Sequence, residues 1–110
     1  MTFVRHEDTV LQDLGGGFTR RILAWNDQLM ATEMTFEAGT EVKPHSHPHT
    51  QCTYIIAGRF RYTVDGETAE VGPGDSAVVP GGAVHGMVCT EAPGKVVEMF
   101  TPKREDFLSE

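Results

Sequence analysis

Apolar and polar side chains alternate along much of this chain. In QLMATEMTFE, Met30, Thr32, Met34 and Phe36 fall on one side and Leu29, Ala31, Glu33 and Thr35 on the other. A period of two suits an extended strand and not a helix, and Thr32 and Thr35 lower helix propensity further. FTRRILAWN predicts a strand before it, after the Gly15-Gly16-Gly17 break. CTYIIAG, ended by Gly58, and RFRYTV predict two more, followed by a hairpin at Val64-Asp65-Gly66-Glu67. TAEV, SAVV, HGMVC and KVVEMF complete the series, separated by Gly72-Pro73-Gly74, Pro80-Gly81-Gly82 and Ala92-Pro93-Gly94. Phe60, Tyr62 and Val64 are expected in the core, with Arg20, Arg21, Arg59 and Arg61 on wet strand faces. Only the tail PKREDFL predicts a helical turn, opening at Pro102. Short strands closely punctuated by turns describe an all-β barrel or double-sheet jelly roll, one domain over 1–110.

Composition bears this out and narrows the partners. A length of 110 residues suffices for one core, and 39% hydrophobic with 23% charged residues is ordinary for a globular chain. The net charge of -7 repels polyanions, so neither nucleic acid nor an anionic membrane surface is expected as a partner. No apolar run is long enough to span a bilayer, and the start MTFVRHEDTV lacks a signal-peptide core, which predicts a cytoplasmic protein. That polar start, with His6, is expected to be a solvated surface arm. Cys52 and Cys89 have no zinc-type spacing and are expected to be reduced core thiols.

The chemistry concentrates in GTEVKPHSHPHTQCTYIIAG (39–58). His45 and His47 stand two apart, so on a strand their rings project the same way, close enough to share one ion. Gln51 follows, and GDSAVVPGGAVHGMVC (74–89) adds His85. Imidazoles suit zinc, iron, nickel, copper or manganese, and a carboxamide oxygen is a weaker ligand that leaves the ion more electrophilic. Three His and one Gln leave coordination positions open, as catalytic sites do. His49 continues the alternation but follows Pro48, and a rim position is expected for it. Glu98 and Phe100 share a strand face, and a carboxylate on an inward face argues for a cavity.

At these residues the chain resembles a known family. Gly39, His45-x-His47, Gln51 and Gly58 resemble the first cupin motif in their spacing, and Gly74, Pro80-x-Gly82 and His85 the second. The resemblance implies a cupin β-barrel of six to eight strands, with one divalent transition metal ion (Ni, Zn, Fe or Mn) held by His45, His47, Gln51 and His85. Over nearly the whole chain, through LGGGFTRRILAWNDQLM, VDGET and EMFTPKREDFL, the similarity is to the small KdgF-type cupins of pectin and alginate breakdown. Those proteins linearise 4,5-unsaturated uronate monosaccharides to 5-keto-4-deoxyuronate, and a glutamine ligand is usual among them. The resemblance implies a metal-dependent isomerase in which Glu98 moves protons, Phe100 binds substrate and Arg104 clamps the substrate carboxylate. The family's usual acid is aspartate, one methylene shorter than Glu98. A metal-dependent dioxygenase or lyase acting on a small acid, and a sugar-binding module, stay open as alternatives. Exposed sheet edges and the polar arm predict a homodimer.

Overall fold

The computed structural model describes residues 2–108. In chain order it contains β1 Leu11–Asp13, β2 Phe18–Trp25, β3 Met30–Phe36, β4 Glu41–His45, β5 Thr50–Val64, β6 Glu67–Val71, β7 Ser76–Val79, β8 His85–Thr101 and α1 Glu105–Leu108. A single 3-10 turn, His6–Asp8, precedes them. The all-β architecture matches the expectation, and β3 shows why. Met30, Thr32, Met34 and Phe36 are buried while the residues between them are partly open.

Every strand pairing is antiparallel, and β5 and β8 hold the molecule together by running side by side along almost their full lengths. The second half of β8 lies between β3 and the first half of β5, which pairs in turn with β7. The first half of β8 lies between β4 and the second half of β5, which pairs with β6. Two layers therefore share the same two long strands, and the inward faces of both layers close over one core: a jelly-roll barrel. Phe36 of one layer meets Phe60 of the other edge to face, with centroids 5.2 Å apart.

The strand boundaries correct the sequence reading in four places. Gly58 does not end a strand: β5 continues through it for 15 residues, bulging where the ladder register slips between Ile55 and Phe60. Ala92-Pro93-Gly94 is likewise no turn between strands but the matching bend of the 17-residue β8. At Gly58 φ is +80°, and a Cβ would stand 2.6 Å from the Glu91 carbonyl oxygen, so the bend needs glycine on both counts. The helix opens at Glu105 and not at Pro102, which precedes it as coil. The fourth correction is β1, a short strand not predicted from the sequence, which pairs with β2.

Two side-chain placements also differ. Cys52 is half-buried rather than part of the core, whereas Cys89 is buried in it; both are free thiols. Arg20 is buried at 8% exposure, not solvated, while Arg59 and Arg61 lie on the wet face as expected. His6 is exposed but bonds Glu33 through Nε2 at 3.0 Å. Among the described residues no helix is long and apolar enough to cross a membrane.

Candidate metal centre

Three segments meet at one end of the barrel. Strand β4 ends at His45, which pairs directly with His85 at the start of β8, so their rings meet across the ladder, tilted by 49° with centroids 4.4 Å apart. His47 lies beyond the end of β4, in the link to β5, so strand alternation is not what aims it. The link folds back instead, and the His47 ring centroid comes to 4.8 Å from that of His85. One ligand atom from each of the three histidines lies within 4.8 Å of the others.

The tautomers follow from the backbone. Nδ1 of His45 lies 2.9 Å from the Lys43 carbonyl oxygen, Nδ1 of His47 3.1 Å from that of His49, and Nδ1 of His85 3.0 Å from that of Ala83. A carbonyl oxygen only accepts, so each Nδ1 carries the proton and each Nε2 is left with a lone pair. Burial pushes the His47 and His85 imidazoles below their ordinary pKa, which keeps both rings neutral. This is the arrangement of metal-ligating histidines, with the distal nitrogen oriented by a backbone acceptor.

Gln51 completes the pattern. Its amide nitrogen donates to Glu98 Oε2 at 2.7 Å and to Thr53 Oγ1 at 3.1 Å, which turns its oxygen toward His47. That oxygen lies 2.9 Å from His47 Nε2. With the proton on Nδ1, two lone pairs face each other there, and a cation relieves the opposition. His85 Nε2 is buried and meets no hydrogen-bond partner among the described residues. An orphaned buried acceptor beside two opposed lone pairs fits a divalent ion held by His45, His47, His85 and Gln51.

Beneath the imidazoles lies a polar cluster that the sequence reading found only in part. Glu98 is 7% exposed and accepts from Gln51 and, at 3.4 Å, from Thr53. Burial raises its pKa to about 7, against the lowering effects of the Arg104 charge, the Thr53 hydroxyl and the Arg20 charge. A carboxyl balanced near neutrality can both take and return a proton. Tyr62, expected only as core, brings its hydroxyl to 2.9 Å from Thr53 and 3.3 Å from the Gln51 amide nitrogen. Thr53 shares strand parity with Gln51, a signal that could have found it.

A cavity of about 290 Å³ adjoins these groups, lined by His45, Gln51, Tyr62, His85, Glu98, Phe100, Arg20 and Arg104 among others. That is the small end of the range for small-molecule sites. Phe100 is buried between the His47 and Phe107 rings, with centroids 5.8 and 5.6 Å away. Arg104 reaches the cavity from the segment before α1, its guanidinium carbon 5.0 Å from the Phe100 ring centre. Its Nε and Nη2 donate to the two carboxylate oxygens of Asp106 at 3.0 and 2.8 Å. His49 does not line this cavity; it is half-buried beside a neighbouring one, with Nε2 3.1 Å from the Lys103 carbonyl oxygen and Nδ1 buried without a partner among the described residues.

A jelly-roll barrel with three histidines at one end defines the class of protein, and comparison with known families agrees: residues 32–100 match the cupin domain model. The chain belongs to the cupin family. Within it, the chain is 35% identical over 103 residues to the pectin degradation protein KdgF of Dickeya dadantii, covering 93% of this chain and 94% of that one. The structure of KdgF from a Halomonas species superposes with a TM-score of 0.91 at 34% identity, covering 96% of this chain and 99% of that one. An RmlC-like cupin from Shewanella frigidimarina gives the same TM-score at 40% identity, covering 97% and 96% of the two chains.

Proposed function

We propose that this protein is a metal-dependent isomerase that opens the ring of 4,5-unsaturated uronate monosaccharides, yielding linear 5-keto-4-deoxyuronate in the breakdown of pectin or alginate. The observation that carries the reading is the contact between the candidate ligand Gln51 and Glu98 at 2.7 Å, which sets a proton-carrying carboxyl directly beside the metal centre. Full-length likeness to KdgF proteins supports the choice of substrate.

In the reaction the C1 hydroxyl loses its proton and the bond from C1 to the ring oxygen breaks. C1 becomes an aldehyde, and the ring oxygen departs as an enolate that is protonated at C4. No proton is gained or lost overall, so one carboxyl can serve both ends. Glu98 as the carboxylate takes the proton from the C1 hydroxyl, and as the acid it delivers one to C4. Its raised pKa populates both forms near neutral pH. A divalent ion on the three histidines and Gln51 would supply electrophilic stabilisation to the oxygen where negative charge develops. Gln51 also orients Glu98, because its amide nitrogen holds the Oε2 atom. Phe100 walls the cavity, and Arg104 adds positive charge to it.

The test is the ultraviolet absorbance of the C4=C5 bond in freshly prepared unsaturated monouronate. Metal-loaded protein is expected to accelerate its loss, and chelated protein to leave the spontaneous rate. An unchanged absorbance with metal-loaded protein, together with oxygen uptake in the presence of iron(II), would instead select a dioxygenase.

A further inference from the structure

The layer made of β3, β7 and the adjoining halves of β5 and β8 has an outward face that is largely apolar. Two rows cross its ladder: Ala31, Met99, Cys52 and Val78 in one, and Glu33, Val97, Tyr54 and Ser76 in the next. Directly paired residues share a face. This face is the outward one, because the residues that alternate with it, among them Thr32, Glu98, Thr53 and Val79, are buried. Tyr54, Val78 and Met99 stand 43%, 65% and 36% exposed. Beyond Ala31 the first row runs into a groove of about 550 Å³ whose walls include Trp25, Leu29, Ala31 and Met99. The water side of an antiparallel sheet is normally polar, and a protein that works as a single copy rarely leaves a contiguous apolar patch of this extent open. The chain's own start does not cover it: His6 bonds Glu33, yet Phe3 is 84% exposed.

Charge, size and shape point to a second copy of the chain as the cover. A net charge of -7 makes two copies repel in most orientations. On this face the charged residues of the two ladder stretches are Glu33 and Lys95, which lie 3.9 Å apart and offset each other. A stable dimer hides roughly 800 Å² of each partner, about an eighth of the 6445 Å² surface here. A molecule of 36 by 28 by 25 Å has room for that contact on one sheet face. Shape supplies the match: Val78 projects at one end of the row, and the groove lies past the other end. Half a turn about an axis in the contact plane, through the middle of the row, sets the projecting end of each copy over the groove of the other. Trp, Tyr and Met are also the residue types enriched where proteins meet. We propose that two copies pair back to back through this face, with Met99 and Cys52 near the two-fold axis and Val78 seated against Trp25 and Leu29 of the other copy. The inference stands apart from the uronate reading.

The experiment measures solution mass by sedimentation across a micromolar concentration series, with circular dichroism to confirm folding. The parent is expected at twice the 12.1 kDa chain mass. Tyr54→Lys and Val78→Lys each place an unpaired ammonium in the contact twice per dimer, and should weaken association at least about 100-fold with a parent-like dichroism spectrum. Both lower the net negative charge, so general repulsion would change in the opposite direction. Thr68→Lys makes the same charge change at an exposed position on β6 and should pair as the parent does. A monomeric parent, which would leave the face to a different protein, overturns the proposal. So does an assembly larger than two, a dimer that both face variants leave intact, or an equal loss in Thr68→Lys. Should neither face variant fold, Val78→Thr decides: a dissociation constant raised severalfold supports the proposal, and the parent value overturns it.

Discussion

Strands β5 and β8 each present two kinds of inward surface. Near their middles, where both strands bend, the inward residues are Ile55 and Phe60 on β5 and Cys89 and Val96 on β8, all at most 1% exposed. Toward their ends the same faces carry Gln51, Thr53 and Tyr62 on β5, and His85 and Glu98 on β8, also buried but polar. The middle is packed until nothing more fits: a Cβ on Gly94 would meet the Phe60 ring at 2.7 Å and the Cys89 sulfur at 2.8 Å. The polar end holds a cavity and two buried imidazole nitrogens, His49 Nδ1 and His85 Nε2, with no partner among the described residues. Burial alone therefore does not mark a stabilising core. The apolar middle stabilises the fold by itself, while the polar end carries desolvation costs that an ion and a substrate can offset.

Substitutions that act on one region and spare the other can break this contrast. The largest effect on folding is expected from Phe60→Ala, which opens a hole between the layers. A loss of about 3–5 kcal/mol in denaturant unfolding is expected, the same with and without added metal. A loss below about 1 kcal/mol would mean the middle is not the stabilising region. His85→Leu should act in reverse. Chelated parent and variant should unfold within about 1 kcal/mol of each other, because His85 Nε2 had no partner among the described residues and the one bond lost, from Nδ1 to the Ala83 carbonyl, is worth about that much. The parent alone should then gain melting temperature on adding a divalent ion, since an ion that binds only the folded form stabilises it by linkage. Linearisation by the variant should fall at least about 100-fold. A parent-like metal response in the variant would remove the centre as drawn.

The smallest effect, and the sharpest, concerns Glu98. Burial raises its pKa to about 7 from an ordinary value of 4.5, so between those values the folded chain keeps a proton that the unfolded chain has lost. Stability from this group is thus present at low pH and lost as pH rises toward 7, by an amount on the order of 3 kcal/mol at most. Chelated Glu98→Gln should lack this component of the pH dependence, read from denaturant midpoints at pH 4.5 and 7.5. A variant with the parent's full pH dependence would place the titration elsewhere.

Much of this was legible along the chain. Alternation exposed β3, and His45, His47, Gln51 and His85 could be picked out along the chain because ligand types are few and their spacing is restrictive, while Glu98 stood out by sharing a strand face with Phe100 and by resemblance to the family. The failures came where local signals mislead. Glycine and proline read as strand ends at Gly58 and Pro93, but the ladder between β5 and β8 carries both strands through the bend. His47 reached the site for a reason other than the alternation that suggested it, since β4 stops at His45. Arg20 and Arg21 read alike as solvated charges; only the pairing with Met34 shows that Arg20 turns inward.

By its own pattern the chain determined the strand class, the inward parity of each long strand and the inventory of candidate metal-ligating side chains, because all three depend on spacing over a few residues. Tertiary structure alone decided which strands run on through their bends and which histidine nitrogens are left bare. It also decided that Gln51 turns its oxygen to His47, and that an arginine near the start of the chain shares a ring with one near its end. Those outcomes depend on contacts between residues tens of positions apart, whose geometry no local periodicity encodes.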